Sequence, residues 1–447
     1  MAKSEQMITE LSDKGVRYCL ASYVDMHGVS KSKMVPIAHA SDMMTGSEMF
    51  TGAALDGVPQ EVNDEEVAAH PDAASCIVLP WQTDVAWFAS DLWCGGAPFD
   101  ACSRNILKRQ VAAAAEAGFT MNLGIEAEFF VLSDTQAGGF APLSDLPHLE
   151  KPAYDTTRLM DNLPWLTELV DAMNALGWDV YSFDHEDGIG QFEIDFTYAD
   201  ALTMADRFTF LRFMANTIAR KHGAFASFMP KPMGDRTGSG AHFNMSLAGP
   251  DGTNLFKDPD DPRGCKLSTL GYQFTAGVLR HLPAIMATVA PTVNSYKRLV
   301  KQGSMSGFTW APIYACYGNN NRTNALRVPL AGGRVELRAA DSATNPYLGA
   351  AMVLAAGLEG IAEGLDPGDP NTDNMYLLDQ AELDARGIRT LPRTLDEALD
   401  AFAADPLSRR VFGDAMFESW LGFKRQEWLS YLNHVSDWEV QRYLKFF

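Results

Sequence analysis

Short segments of alternating apolar and polar residues occur throughout the chain, and longer helix-like segments separate them. Residues 16–24 and 76–79 are typical of strands, and strand signals dominate up to about residue 95. Beyond that point the pattern predicts six helical regions, with Asp100 as the first N-cap, at about 100–117, 163–176, 201–221, 267–289, 346–363 and most of 394–445. We therefore predict an α+β protein with a small strand-rich domain, residues 1–97, and a larger domain, residues 98–447.

Polar residues recur at every second position within several strands of the larger domain, which places them on one face. These segments are residues 124–131, 183–186, 191–195, 241–246 and 334–338, and their polar positions include Glu126, Glu128, Glu186, Glu193, His242 and Glu336. The solvated face of an antiparallel sheet would explain any one of them. Together, however, five glutamates would repel each other unless a cation neutralised them.

Carboxylates with a single imidazole suit Mg²⁺ or Mn²⁺ better than zinc or copper. The pattern therefore predicts a cavity that holds two or more divalent metals beside Arg334 and Arg338. Metals and arginines together are typical of phosphoryl transfer, although the carboxylates alone would also fit a metal-dependent hydrolase. No Walker A sequence is present, so a nucleotide would have to bind in this cavity itself.

The composition limits the possible partners. The 447 residues carry a net charge of -21, which disfavours nucleic acid and anionic membranes as partners. A hydrophobic content of 47% excludes disorder, and no apolar run is long enough to span a bilayer. The six cysteines form no C-x-x-C pair, and the N-terminus lacks an apolar signal core. We expect a reduced, soluble, cytoplasmic protein.

The chain resembles the glutamine synthetase family in a set of sequence motifs that occur in order along essentially its whole length. The matching motifs are Asp25-Met-His-Gly-Val-Ser-Lys31, Gly124-Ile-Glu-Ala-Glu-Phe-Phe130, His185-Glu186, Gly190-Gln-Phe-Glu193, Phe228-Met-Pro-Lys-Pro232, Gly238-Ser-Gly-Ala-His242, Asn294-Ser-Tyr-Lys-Arg-Leu-Val300, Asn321-Arg322, Arg334-Val-Glu-Leu-Arg338 and Asn345-Pro-Tyr347. The resemblance implies an N-terminal β-grasp domain and a large catalytic domain of guanido-kinase-like fold. It further implies ATP and two to three Mg²⁺ (or Mn²⁺) ions per site, and a homo-oligomer, commonly a dodecamer of two stacked hexameric rings with active sites between subunits.

The resemblance also implies roles for individual residues. One metal site would take Glu128, Glu186 and Glu193, and the other, nearer ATP, would take Glu126, His242 and Glu336. The remaining roles are as follows: substrate and phosphoryl contacts for Arg298 and Arg338, phosphate contacts for Arg322 and Arg327, a backbone contact to glutamate for Gly238, and nucleotide contacts for Tyr198, Asn244 and Ser246.

Two departures from the family concern the amine. The stretch that usually reads Phe-Asp-Gly-Ser-Ser, whose aspartate helps bind and deprotonate ammonium, is here Phe50-Thr-Gly-Ala-Ala54. The segment after Val300 is longer than usual and lacks the glutamate that closes over the site, and it carries Phe308 and Trp310 instead. Less cation-binding charge and more apolar surface suit an alkylated amine.

We therefore expect ATP-dependent ligation of glutamate and methylamine to γ-glutamylmethylamide through γ-glutamyl phosphate, because the pattern is similar to the family branch that uses methylamine. Ligation of ammonia, ligation of a larger amine and a non-catalytic structural or regulatory role are the alternatives. With the usual acids absent, Asp56 and Asp184 are the candidate bases, and Tyr154 is a candidate amine contact.

Overall fold

The computed structural model describes residues 2–136, 138–144, 146, 150–304, 307–308 and 310–447. Helices in these ranges are α1 Ala2–Asp13, α2 Ala40–Met43, α3 Ser103–Glu116, α4 Thr156–Asp161, α5 Leu163–Ala175, α6 Ala201–Lys221, α7 Thr269–Val289, α8 Ser295–Arg298, α9 Pro346–Ala362, α10 Gln380–Ala385, α11 Leu395–Ala404, α12 Pro406–Phe412, α13 Asp414–Leu432 and α14 Asp437–Tyr443. No helix in these described ranges combines the length and apolarity that crossing a membrane requires.

Strands in the same ranges form two large sheets and one small hairpin. They are β1 Tyr18–Val24, β2 Ser30–Pro36, β3 Glu48–Phe50, β4 Val67–Pro71, β5 Ile77–Leu79, β6 Gln82–Cys94, β7 Ala97–Pro98, β8 Thr120–Asp134, β9 Phe140–Pro142, β10 Val180–His185, β11 Gln191–Phe196, β12 Ala199–Asp200, β13 Phe225–Ser227, β14 Ala241–Ala248, β15 Gln302–Ser304, β16 Gly307–Phe308, β17 Tyr317–Asn319, β18 Leu326–Val328 and β19 Val335–Leu337.

The N-terminal region is built on a seven-stranded sheet of order β2-β1-β6-β4-β3, with β5 and β7 also paired to β6. Strand β1 runs parallel to β6 and antiparallel to β2. This sheet has its own buried apolar cluster, which includes Cys19, Phe88 and Leu92. The β-grasp assignment of this region and the boundary at residue 97 stay predictions.

The larger sheet has ten strands and is almost entirely antiparallel, with the order β10-β11-β8-β14-β19-β18-β17. Strand β8 also pairs with β9, β12 and β13, so it is the central element of the sheet. Helices α6, α7 and α9 contribute most of the core beside it; along α9, thirteen residues from Pro346 to Gly360 are buried. The Pro346–Ala362 segment is thus apolar because it is a core helix.

The predicted mixture of helices and antiparallel strands is confirmed. Helix α6 begins after Asp200, whose carboxylate accepts the backbone N–H groups of Leu202 and Thr203, and its predicted range is correct. The prediction of Asp100 as an N-cap is wrong, because α3 begins at Ser103 and its cap is Cys102. The helical region at 394–445 is four helices, since Asp405, Gly413 and Ser436 cap new helices within it.

A buried guanidinium connects the N-terminal sheet to the helices of the larger region. Arg104 on α3 donates to Asp91 on β6 at 2.6 Å, to Asp72 after β4 at 2.9 Å and to Asp206 on α6 at 3.0 and 2.9 Å. The hydroxyl of Tyr347 also donates to Asp206, at 2.6 Å. Since Arg104 is only 3% exposed, these carboxylates replace its hydration, and they fix the N-terminal sheet against the helices of the larger region.

A second buried ion cluster predicts a pH dependence of stability. Both ring nitrogens of His281 on α7 contact carboxylates, Nδ1 that of Asp405 at 2.7 Å and Nε2 that of Glu359 at 2.9 Å. Burial opposes the charged imidazole, but the hydrogen bonds and charges of the two acids raise the pKa of His281 overall. Its contribution to stability is therefore complete below the unfolded pKa, about 6.5, and disappears as the pH rises through the folded pKa.

The H281Q substitution should thus lower the free energy of unfolding by about 1.5–3 kcal/mol at pH 6, the range for hydrogen bonds to charged groups, and by less at pH 9. Urea unfolding at the two pH values measures this difference. Exposed His39 provides the control variant H39Q, which should change neither value. An H281Q cost that is equal at both pH values would contradict a charged imidazole.

Candidate active site

The register of the large sheet brings the predicted polar positions side by side. Glu126 on β8 faces His242 on β14, and Asn244 faces Glu336 on β19. On the other side of β8, Glu128 faces Glu193 on β11. Because alternate residues of a strand share a face, the polar positions of four strands form one continuous acidic surface at the middle of the sheet.

Three of these side chains converge tightly enough to hold one metal ion. Ligand atoms of Glu126, His242 and Glu336 all lie within 4.8 Å of one another, and among the described residues this is the one such group. His242 Nδ1 lies 2.9 Å from Glu126 Oε2 and 3.6 Å from Glu336 Oε1. Two carboxylates and one imidazole are a donor set that fits Mg²⁺ or Mn²⁺.

Arginines surround this group from the β18 and β19 side. Glu336 is fully buried and accepts from Arg327 and Arg338, each at 2.5 Å. Arg298, at the end of α8, is 4% exposed; it donates to the carbonyls of Ala339 and Arg338 and lies 3.4 Å from His242 Nε2. The site therefore combines an acidic metal group with buried positive charge, an arrangement suited to binding phosphate.

Glycines at 238 and 240 let the backbone approach this group closely. A Cβ at Gly240 would lie 2.7 Å from His242 Nε2 and 2.8 Å from a guanidinium nitrogen of Arg298. A Cβ at Gly238 would lie 2.4 Å from the carbonyl oxygen of Pro230. The Gly240 amide instead donates to Glu128 at 2.7 Å, so the Thr237–Gly240 segment holds a site carboxylate in place.

The second predicted set consists of Glu128, Glu186 and Glu193, and these carboxylates repel one another. Burial and the nearby Glu128 carboxylate raise the pKa of Glu186 to about 8, and the same two causes raise the pKa of Glu193. Burial would also raise the pKa of Glu126, but the hydrogen bond and charge of His242 hold it at about 2. Buried carboxylates that repel one another fit a position for a further cation.

A cavity of about 350 Å³ opens beside Glu126 and includes the predicted nucleotide residues Tyr198, Asn244 and Ser246. Asn244 donates to Glu126 at 2.9 Å and accepts from Arg334 Nε at 2.9 Å. Residues that the sequence reasoning did not place here also line it, notably Asn122, Tyr181 and Asp195. The alternation in β8 and β11 could have identified Asn122 and Asp195, because they continue the face of Glu126 and Glu193.

Two predicted substrate residues have unusual backbone geometry. Tyr154 (φ 63°) and Trp310 (φ 57°) are among five non-glycine residues with positive φ in the described ranges. Both side chains are largely exposed. Partial burial and the charges of Glu186 and Asp184 raise the pKa of Tyr154, and the charge of exposed Arg322 opposes this shift. This places Tyr154 beside the acidic surface, and bulky residues in this conformation are characteristic of functional sites. The side chain of Phe308 lies outside the described residues.

The segment next to Trp310 is attached to the arginine side of the site. Buried Tyr376 donates its hydroxyl hydrogen to the Ala311 carbonyl at 2.7 Å. Burial raises the pKa of Tyr376 to about 12, and the charges of Arg338 and Arg298 oppose this shift. The sequence alone does not predict this position for Tyr376. Asp56 lies in the N-terminal region with its carboxylate 3.8 Å from His27, and in the described ranges no ion pair joins it to the acidic surface.

Comparison with known proteins adds four findings. The family described as "Glutamine synthetase, catalytic domain" matches residues 100–443. The chain is 44% identical over 438 residues, 98% of both chains, to the glutamate–methylamine ligase of Methyloversatilis universalis. It is 40% identical over 430 residues, 96% of both chains, to the glutamine synthetase of Rhizobium leguminosarum bv. phaseoli. A solved GmaS/ADP complex superimposes with a TM-score of 0.91 at 38% identity, covering 98% of this chain and 99% of that one.

Proposed function

Because the chain belongs to the glutamine synthetase family, we propose that it is a ligase that joins methylamine to the γ-carboxylate of L-glutamate at the expense of ATP. The observation that carries the proposal is the convergence of Glu126, His242 and Glu336 within 4.8 Å beside buried arginines. That arrangement suits a reaction in which a phosphoryl group moves between two anionic substrates.

The proposed reaction has two steps. A γ-carboxylate oxygen of glutamate attacks the γ-phosphorus of ATP, the bond to the bridging oxygen breaks, and ADP leaves. The nitrogen of methylamine then attacks the acyl carbon of γ-glutamyl phosphate; the C–O bond to phosphate breaks, and phosphate leaves. The nitrogen loses a proton, and the products are γ-glutamylmethylamide, ADP and phosphate.

We propose two groups of metal ligands for Mg²⁺ or Mn²⁺: Glu126, His242 and Glu336 nearer ATP, and Glu128, Glu186 and Glu193 nearer glutamate. When bound, such ions neutralise phosphate oxygens and withdraw charge from the reacting phosphorus. The protein's own contribution is positional. Arg298 and Arg338, both 4% exposed, present positive charge to the glutamate carboxylate and the transferring phosphoryl group.

Further contacts follow the same scheme. Arg322 and Arg327 bind phosphate, the Gly238 backbone contacts glutamate, and Tyr198, Asn244 and Ser246 hold the nucleotide in the 350 Å³ cavity. Tyr154 and Trp310 lie toward the amine. These assignments are supported by the family motifs and by the proximity of Glu126 to the nucleotide cavity.

Two observations favour methylamine over ammonia. Thr51 stands where the family's ammonium-binding aspartate is expected, and its hydroxyl donates to Glu66 at 3.1 Å. In addition, the Methyloversatilis relative named for methylamine is 44% identical to this chain. A second candidate is glutamine synthesis from ammonia, favoured by the 40% identity to the Rhizobium enzyme.

The test is ADP release by the full-length protein with Mg²⁺ and ATP. We expect release when glutamate and methylamine are both present, and background release when either is omitted. Ethylamine and putrescine in place of methylamine test the larger-amine alternative. ADP release that does not depend on glutamate would contradict a ligase, and no release with any amine would support the non-catalytic alternative.

Restoring the missing carboxylate should shift the amine preference. We predict that T51D raises the ratio of kcat/KM for ammonia to that for methylamine by about tenfold, because an added negative charge favours the more strongly hydrated cation. The matched control T51N has the same shape without the charge and should leave the ratio within twofold. A ratio that moves equally in both variants would show that position 51 acts by shape alone.

We further propose that the subunits assemble as a dodecamer of two stacked hexameric rings whose active sites lie between subunits, with residues 1–97 and 98–447 as the two domains. The family resemblance supports this arrangement. The C-terminal segment supports it as well, because Trp438, Leu444, Phe446 and Phe447 are each more than 60% exposed, and such apolar surface is buried in an assembly.

A further inference from the structure

The proposed reaction does not use a second cavity, which has a volume of about 810 Å³. It lies between α6, the turn at residues 26–30 and the α13 helix, and it reaches the loops at 291–294 and 342–343. Cavities of this size accommodate small organic ligands. None of its lining residues belongs to either proposed metal group or to the nucleotide cavity.

One wall of the cavity carries positive charge without a matching carboxylate. Arg212, Asn216 and Arg220 follow one another at four-residue spacing on α6, so they share a face of that helix. Arg212 donates to three neutral carbonyls, those of Gly28 at 3.2 Å, Ser342 at 2.5 Å and Thr344 at 2.6 Å. Within the described part of the chain, no carboxylate lies within 4.0 Å of either arginine, in a protein of net charge -21.

Two buried polar atoms on the same face, Arg212 Nε and Asn216 Oδ1, are inaccessible to water and have no hydrogen-bond partner among the described residues. Burial lowers the pKa of Arg212 to about 10, although the charges of Asp341 and Asp25, which make no ion pair with it, act in the opposite direction. The other cation of the cavity, Lys424, is already paired with Glu427 at 2.8 Å. Arg212 and Arg220 therefore remain as the charges that an anion would neutralise.

Most of the remaining lining is apolar, although His27, Asn294 and the Lys424–Glu427 pair also line the cavity. Phe213 and Met229 are 37% and 44% exposed, and Val293 and Trp420 line the same space. A ligand that fills it must combine an apolar body with one anionic group at the α6 wall. Glutamate does not fit this description, because it has two carboxylates and an ammonium group on a short chain.

We propose that this cavity is a binding site for a small carboxylic acid with an apolar body. Its carboxylate forms an ion pair with Arg220 near the opening and is attracted by the positive charge of Arg212 inside. The site borders the catalytic residues without including them. Ser342 accepts from Arg212 through its carbonyl, while its hydroxyl donates to the carbonyls of Glu128 and Gly240 at 2.6 and 2.8 Å. This proposal does not depend on which amine the enzyme uses.

The test is calorimetric titration of the intact full-length protein with 4-phenylbutyrate, and separately with 4-phenylbutan-1-ol, which lacks the carboxylate. We expect one saturable site per chain and binding of the alcohol at least tenfold weaker. R220Q should weaken 4-phenylbutyrate binding at least tenfold, whereas R393Q, at an exposed arginine away from the cavity, should leave it unchanged. T217F, which fills the cavity from the same helix, should abolish binding.

Thermal melting and ADP release of each variant verify that it is folded, and the binding readout itself requires no catalytic activity. Three results would overturn the proposal: no saturable binding, equal affinity for the alcohol and the acid, or equal losses in R220Q and R393Q. Binding that appears only after the assembly dissociates would mean that a second copy covers the cavity, and this would overturn it as well.

Discussion

Turnover of the E126Q variant should fall at least about 100-fold, because this substitution removes a charged ligand from the tightest metal group of the site. Glu126 faces His242 in the register of β8 and β14, and its Oε1 also accepts from Asn244 at 2.9 Å. Glutamine keeps the shape and one hydrogen-bonding oxygen but loses the negative charge. Steady-state ADP release measures the loss.

The matched control is D134N, which removes a carboxylate from the exposed end of the same strand. It should retain turnover within about twofold. Titration with Mn²⁺ adds a readout independent of activity, and E126Q should bind the ion at least tenfold more weakly than D134N. Full turnover by E126Q would mean that the Glu126, His242 and Glu336 group is not a metal site.

The second large effect concerns stability. R104M should lower the free energy of unfolding by about 3–5 kcal/mol, since it leaves Asp72, Asp91 and Asp206 facing one another without their shared cation. Burial already raises the pKa of Asp206, although Arg104 opposes this shift. Without the guanidinium the three carboxylates must take up protons or separate, and separation would loosen the N-terminal sheet from α6.

Urea unfolding of R104M and of R109M measures this effect. Arg109 lies on the same helix, is exposed, and among the described residues its guanidinium contacts Asp100 at 3.5 Å and the Phe412 carbonyl at 3.5 Å. Its replacement should cost about 1 kcal/mol or less. Equal costs for the two variants would indicate that the buried aspartates are not held together by Arg104.

Much of the fold could be predicted because single strands and helices carry their own signals. The alternation in residues 124–131 and 241–246 reports which residues share a face, and β8 and β14 confirm it. Similarly, Asp200 before α6 and the glycine after α3 determine where those helices begin or end. The resemblance to glutamine synthetases rests on the same segments, and the family match confirms it.

Features that depend on distant contacts could not be predicted in this way. The hydrogen bond from Tyr376 to Ala311 joins residues that are 65 positions apart. The bond from Arg104 to Asp206 joins residues that are 102 positions apart. No local pattern marks such pairs. The start of α3 also depends on a distant contact. The Leu92 amide donates to the Sγ of Cys102 in the interior, and Cys102, not Asp100, is the N-cap of the helix.

The most direct test of the proposed function is a competition in which the full-length protein receives ATP, Mg²⁺, glutamate and equal concentrations of methylamine and ammonia, with both amides quantified by mass spectrometry. One methyl group contributes about 1–3 kcal/mol in a pocket, so we expect γ-glutamylmethylamide to exceed glutamine at least tenfold. Glutamine as the main product would contradict the assignment and identify the protein as a glutamine synthetase that binds ammonium without the usual aspartate.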